Sequence, residues 1–219
     1  MLDTSFPYQY IVIEGNIGAG KTTLCQMLER DFQARLVLEQ FTDNPFLPSF
    51  YEDRERFAFQ VELFFMAERH KQLQEMLGQT DIFSPFTVGD YFFLKTLIFA
   101  KNNLKEDEYR LFSRVFHVLS STFAKPDVLL YLHRPVDILM QQIQKRGRDY
   151  EKDISADYLL EIQNAYFDYF KTQTQIPVVI LNIEDIDYTN EPAHYEKICA
   201  VLQQKFGIGT HYLNYSTLP

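Results

Sequence analysis

The chain has 219 residues, 46% of them hydrophobic, and a formal net charge of −9. That length and apolar content suffice for one sizeable core, and the acidic balance argues against nonspecific binding to nucleic acid or to an anionic membrane. No stretch approaches the ~18 uncharged apolar residues of a membrane span, no basic-then-apolar leader precedes the first expected strand, and Cys25 and Cys199 are too few for a disulfide framework or a zinc site. A cytoplasmic protein with buried, reduced cysteines is expected.

Residues 10–14, Tyr-Ile-Val-Ile-Glu, form a short apolar run typical of a buried parallel strand. Residues 15–22 then read GNIGAGKT, which satisfies the phosphate-loop pattern G-x-x-x-x-G-K-[ST]. Glycines without Cβ let the backbone of Gly15, Asn16, Ile17, Gly18, Ala19 and Gly20 curl so that amide N–H groups point at phosphate oxygens. Lys21 is placed to bridge the β- and γ-phosphates, and the Thr22 hydroxyl to ligate Mg²⁺. Thr23 opens a helix over 23–30, with Leu24, Met27 and Leu28 at helical spacing. A glycine-rich turn could bind nothing, but strand, loop and helix arrive in the order phosphate binding requires. The pattern therefore implies a nucleoside triphosphate, with ATP and Mg²⁺ as the expected pair.

A second strand is expected over 34–39, ending in Glu39. Open α/β sheets carry their chemistry at the carboxyl ends of strands, so this carboxylate is placed to take a proton from a hydroxyl acceptor, although a surface glutamate after a strand is the plain alternative. A loop through Asp43, Asn44 and Pro45 leads to a short helix over 46–51 and a long helix over 54–77. On that long helix Glu62, Phe65, Met66 and Arg69 fall at i, i+3, i+4 and i+7, one face on which a polar pair brackets two apolar groups suited to a planar base; a surface ion pair beside core residues is the competing reading. Residues 81–88 should hold a third strand, interrupted by Pro85, and Asp90 should cap a helix over 91–100.

A helix over 107–123, a buried strand over 127–133 and a helix from Pro135 toward Lys145 follow. Arg146-Gly147-Arg148 then opens a charged segment of about residues 145–155. Cations on a mobile segment can close over a transferring phosphoryl group, whereas on their own two arginines are commonly a solvated helix end. Ser155 can cap a helix to about Thr172, a last buried strand spans 177–182, and the acidic loop Glu184, Asp185, Ile186 and Asp187 leads to a final helix over 192–206. The tail from Gly207 carries no readable signal. Alternating strands and helices predict an α/β fold, a parallel sheet of about five strands with helices on both faces.

Taken in order, GNIGAGKT, Glu39, Tyr51-Glu52-x-x-x-Arg56-Phe57, Arg69, then Lys145-Arg146-Gly147-Arg148-x-x-Glu151 followed by Tyr158-Leu159, the chain resembles the deoxyribonucleoside kinase family over roughly residues 10–205. That family contains deoxycytidine, deoxyguanosine and bacterial deoxyadenosine kinases. The resemblance implies one three-layer phosphate-loop kinase domain over residues 1–219 with a small lid at about 145–155. It also implies ATP-dependent phosphorylation of the 5′-hydroxyl of a deoxyribonucleoside for nucleotide salvage, with deoxyadenosine first and deoxyguanosine second. Glu39 then matches the general base, Tyr51 and Glu151 the pair that holds the 3′-hydroxyl, Arg146 and Arg148 the lid arginines, and residues 184–187 the loop beside the donor adenine. A homodimer through the helices after the third strand, where segment 91–100 is too apolar to face water all round, is implied as well.

Two departures stand out. Glu62 falls where the family reads the base with glutamine, and a carboxylate only accepts hydrogen bonds where an amide also donates. After the third strand the family has an acid followed by arginine; here Gly89-Asp90-Tyr91 keeps an acid, and Arg69 or Arg56 is the candidate to steady Glu39. Two rivals remain at this level. One is a nucleoside monophosphate kinase similar to thymidylate kinase, which needs extra cations for an acceptor phosphate. The other is a regulatory nucleotide-binding module.

Overall fold

A computed structural model describes residues 6–39, 44–77, 81, 83–121 and 123–215. The chain runs β1 (Tyr10–Gly15), α1 (Lys21–Phe32), β2 (Arg35–Val37), α2 (Leu47–Glu52), α3 (Arg54–Leu77), β3 (Thr87–Gly89), α4 (Lys95–Asn103) and α5 (Glu106–Ser120). It continues through β4 (Val128–His133), α6 (Val136–Arg146), a short 3₁₀ turn (Asp149–Glu151), α7 (Ala156–Thr172), β5 (Pro177–Asn182), α8 (Pro192–Leu202) and β6 (Gly209–Asn214).

The strands form one sheet in the order β2-β3-β1-β4-β5-β6, and every pairing among the described residues is parallel. Successive side chains of a strand point to opposite faces, and all six residues of β1 are buried, so both faces of the sheet are covered. Ile11, Val12 and Ile13 are wholly inaccessible, each stabilising the fold by about 2 kcal/mol of apolar burial. The helices fall into two groups. One group is α1, packed on β1, β2 and β3, with Tyr195 of α8 beside Asp31 at its end. The other runs from α2 to α7, where α3 packs on α2, α4 and α5, and α7 on α4 and α6.

From β1 the chain first moves outward to β2 and β3, then reverses to β4, β5 and β6, so β1 and β4 flank the point where the connections change direction. Open α/β sheets bind ligands at that crevice, beyond the strands' carboxyl ends. The glycine loop after β1 opens there.

The structure departs from sequence expectation in four places. A sixth strand, β6, pairs with β5 from Pro177↔Gly209 to Asn182↔Asn214; as a half-exposed edge its residues lack the apolar run that marks an inner strand. The expected strand over 81–88 is ordered as β3 only at Thr87–Gly89, beyond Pro85, which cannot donate to a ladder; Ile82 lies outside the described residues, as does Asp43 in the earlier loop. Asp90 caps no helix. Helix α4 starts at Lys95, and the Asp90 carboxylate instead ties the chain just after β2 to α1 by bonds given below. The helices expected to reach 123 and 206 end at Ser120 and Leu202. Ser155, in contrast, caps α7 as its position suggests, accepting the Tyr158 N–H at 3.1 Å.

Candidate active site

The glycine loop closes on itself before any ligand is considered. Ala19 N–H donates to Asn16 O at 3.2 Å, and the Asn16 side chain anchors to Leu159 O at 2.7 Å while accepting from Ile17 N–H at 2.8 Å. Gly20 has a φ of +97°, and a Cβ there would collide with the Tyr188 hydroxyl, which donates to Gly20 O at 2.8 Å. Glycine is required at that position both by its left-handed backbone and by the close approach of the tyrosine. Lys21 reaches back over the loop, its ammonium on the carbonyls of Gly15 and Asn16 at 2.9 Å each. Burial, with Lys95 nearby, lowers its pKa to about 8 despite Glu14, Asp90 and Glu39. An ammonium held in this way gains from any polyphosphate that restores its charge balance.

Next to the loop, Thr22 Oγ1 donates to Asp90 Oδ2 at 2.5 Å, and Asp90 Oδ1 accepts from the Glu39 main-chain N–H at 2.7 Å. The strand expected to end at Glu39 stops at Val37, and Asp90 fixes the backbone just beyond it that carries Glu39. The Glu39 carboxylate is clamped by two cations. Arg69 donates Nε and Nη2 to Oε1 at 2.8 and 2.6 Å and Nη1 to Thr96 at 3.0 Å; Lys95 Nζ meets Oε2 at 2.5 Å. Burial by itself would raise the Glu39 pKa, but Lys95 and Arg69 more than offset it and hold the carboxyl well below the usual range. The guanidinium of Arg69 also lies 4.9 Å above the Phe65 ring. Of the two arginines considered for steadying Glu39, Arg69 is in contact, while Arg56 is exposed beside Phe57.

A cleft opens over this ensemble. Its walls hold Ile17, Gly18, Lys21 and Thr22 from the loop, Glu39 and Asp90, Tyr51 of α2, Glu62, Phe65 and Arg69 of α3, and Arg146, Arg148 and Glu151 from the segment after α6. Met66, expected on the same face, is 1% exposed and packs in the core instead, because α3 is buried on that side. Arg146 is tied to Glu151, with Nη2 2.6 Å from both carboxylate oxygens and Nε 3.0 Å from Oε2. Arg148 is looser, 3.6 Å from Glu151 Oε1 and 45% exposed. Glu62 is 2% exposed; its Oε1 accepts from Asn103 Nδ2 at 2.6 Å, while Oε2 has no hydrogen-bond partner among the described residues. Burial raises its pKa to about 7, against the lowering effect of the Asn103 hydrogen bond.

On the other side of the loop lies a second recess. It is lined by Gly18, Ala19, Gly20, Thr23 and Arg134 together with Glu184, Asp185, Ile186 and Asp187, so the expected donor-side residues meet in space.

Sequence reasoning missed Lys95, Asn103 and Glu14. Glu14 is 1% exposed, accepting from Phe92 N–H at 2.8 Å and the Tyr166 hydroxyl at 2.9 Å. Lys95 had a signal, as one charged residue in the otherwise apolar run 91–100. Asn103 had none, since only the crossing of α4 over α3 brings it to Glu62.

A phosphate loop at the sheet's switch point, a recess on each side of it and an arginine-bearing segment above define a phosphoryl-transfer site. Comparison with known proteins narrows that class. The deoxynucleoside kinase family model matches residues 11–206. The chain is 31% identical over 199 residues to a deoxyguanosine kinase of Bacillus subtilis, covering 89% of this chain and 96% of that protein. It is equally 31% identical to the deoxyadenosine/deoxycytidine kinase of the same organism, covering 86% and 88%, and to a deoxyadenosine kinase of Dictyostelium discoideum, covering 79% and 71%. In fold it is similar to a deoxyadenosine kinase from M. mycoides solved with bound dCTP, with a TM-score of 0.74 at 22% identity over 88% of this chain and 98% of that one. The chain belongs to the deoxynucleoside kinase family, enzymes that phosphorylate deoxyribonucleosides. That membership sets aside both the monophosphate kinase and the regulatory module.

Proposed function

We propose that the chain transfers the γ-phosphoryl group of ATP to the 5′-hydroxyl of a purine deoxyribonucleoside, in nucleotide salvage. The observation that carries this reading is the Glu39 carboxylate, in one cleft with Lys21 and within the same walls as Tyr51 and Glu151. A hydroxyl acceptor needs an anionic oxygen to receive its proton, and a second hydroxyl of the sugar suits the Tyr51 and Glu151 pair. An acceptor phosphate would meet carboxylates, since both cations at Glu39 are already engaged. ATP fits the second recess, with residues 184–187 beside its base and the glycine loop around its phosphates.

Mg²⁺ suits the oxygens of Thr22 and Asp90, hard donors that adjoin the glycine loop and are joined by a hydrogen bond the ion would replace. When bound, the ion neutralises phosphate charge. Residues 145–155 act as the lid of one kinase domain. A cytoplasmic homodimer through the helices after β3 completes the reading, with its contact on α5 rather than on α4. In segment 91–100 the apolar side chains of Tyr91, Phe93, Ile98, Phe99 and Ala100 are buried within the chain itself, whereas Leu111, Val115 and Val118 form an exposed apolar stripe on α5.

Base choice follows from Glu62. Protonated, it donates and accepts as the family glutamine does and matches the amino group and adjacent ring nitrogen of adenine; ionised, it only accepts and matches the two donors of guanine. With a pKa of about 7, the acid form prevails below neutrality and the carboxylate above it. The test is kcat/KM for the four natural deoxynucleosides with ATP. Purines are expected to lead, and the deoxyguanosine to deoxyadenosine ratio to rise about tenfold or more from about pH 6 to about pH 8. Glu62→Gln is expected to abolish that rise and favour deoxyadenosine throughout. A preference for thymidine sinks the purine assignment, and a flat ratio in the unaltered enzyme sinks the role of Glu62.

A further inference from the structure

Lys95 is the first residue of α4, buried to 7% exposure, and lines the acceptor cleft with its ammonium on Glu39. The two oxygens of that carboxylate are not equivalent. Oε1 accepts two N–H bonds from Arg69, which uses both of its lone-pair directions. Among the described residues Oε2 accepts from Lys95 alone, which leaves one of its directions open. A substrate hydroxyl bonded to Glu39 must therefore use Oε2, and it then lies beside the lysine ammonium.

We infer that Lys95 is a catalytic residue, which shares Oε2 with the acceptor hydroxyl and passes from Glu39 to the transferred phosphoryl group as Glu39 takes the proton. This rests on the 5′-phosphotransferase reading above. In the step the O5′–H bond breaks and its proton goes to Glu39 Oε2, while O5′ bonds to the γ-phosphorus. The bond from phosphorus to the bridging oxygen breaks, and its electron pair leaves on the nucleoside diphosphate. Glu39 is then neutral, and the anion next to Lys95 is the new phosphomonoester. Arg69 cannot follow, because its third nitrogen is held by Thr96 and its ring contact by Phe65. A four-carbon stem with one point charge can.

Among the described residues, the charged and titratable groups around Glu39 can each be assigned. Arg69 and Glu62 face it from α3, Lys95 from α4 and Lys21 from α1. Asp90 and Tyr91 approach from the end of β3, and Tyr166 from α7. Of these only Lys95 and Arg69 touch the carboxylate, so removing Lys95 leaves burial opposed by one cation, and the Glu39 pKa moves upward.

Lys95→Met is the test, with kcat, both KM values and the pH profile of kcat measured on the full chain and folding checked by circular dichroism. A fall in kcat of about 10²- to 10³-fold is expected, with the ATP KM within about threefold and the acid limb displaced upward by about one pH unit or more. In Lys95→Ala, added methylamine is expected to restore part of the lost turnover. A folded Met variant with an unmoved acid limb, or an Ala variant without rescue, overturns the assignment. If neither variant folds, Lys95→Arg decides, with a loss below about tenfold expected and a loss above about a hundredfold contradicting it. Failure of the unaltered enzyme to phosphorylate any deoxynucleoside sinks the underlying reading instead. An active parent with an indifferent Met variant sinks this inference alone.

Discussion

Glu39→Gln is expected to lower kcat by about a thousandfold, the middle of the range for losing a general base that also orients the nucleophile. The amide has the carboxylate's shape but no charge, so it accepts a hydrogen bond from the 5′-hydroxyl and cannot keep the proton. Because Lys95 and Arg69 hold the Glu39 pKa down, the carboxylate is a weak base toward a free alcohol. It becomes competent late, when the O5′–P bond is forming and the hydroxyl has turned acidic, which suits the loose transition state of phosphoryl transfer. Its protonation lies at acid pH, so the unaltered enzyme should keep its Glu39-dependent activity down through weakly acidic conditions.

The substitution also strands Arg69, 3% exposed, without its anion, and a lowered Tm is expected beside the kinetic loss. ATP affinity, read by equilibrium binding, should stay nearly intact, because the proposed phosphate site is Lys21 and the glycine loop, whose hydrogen bonds do not involve the Glu39 carboxylate. Turnover within threefold of the parent would remove Glu39 from the base role.

Arg148→Ala is expected to slow the chemical step by about 10²- to 10³-fold in single-turnover measurements, with little change in nucleoside binding. The two lid arginines differ in what already holds them. Arg146 is spent on Glu151, with three contacts between 2.6 and 3.0 Å, and in the proposed reaction would orient that carboxylate for the sugar. Arg148 follows Gly147, whose φ of +67° ends α6 and turns the chain out over the cleft, and its guanidinium, held by the longer contact to Glu151 and by the Tyr150 ring, can shift toward charge developing on the moving phosphoryl group. An unaffected chemical step in Arg148→Ala would mean that the cationic cover comes from elsewhere.

The central strands were legible because burial on both faces of a parallel sheet demands apolar runs, as in residues 10–14, 127–133 and 177–182. The glycine loop was legible because its backbone demands glycine, as Gly20 shows against Tyr188. The edge strand β6 was not, since one partner and a half-exposed face leave no strong pattern. Asp90 was misplaced for a related reason. An acid before an apolar stretch looks like a helix cap, and only the tertiary fold shows its two oxygens bonded to Thr22 and to the Glu39 main chain. The clamp on Glu39 combines side chains 30 and 56 residues away, which local periodicity cannot join.

The most direct measurement is a crystal structure of the ternary complex with deoxyadenosine and a non-hydrolysable ATP analogue, the lid closed. The 5′-oxygen is expected within hydrogen-bond reach of Glu39 Oε2, about 3.2 Å or less, in line with the γ-phosphate. A 5′-oxygen separated from Glu39 by more than one water, with Arg148 already seated on the phosphates, would contradict the assignment of that carboxylate and the mechanism built on it.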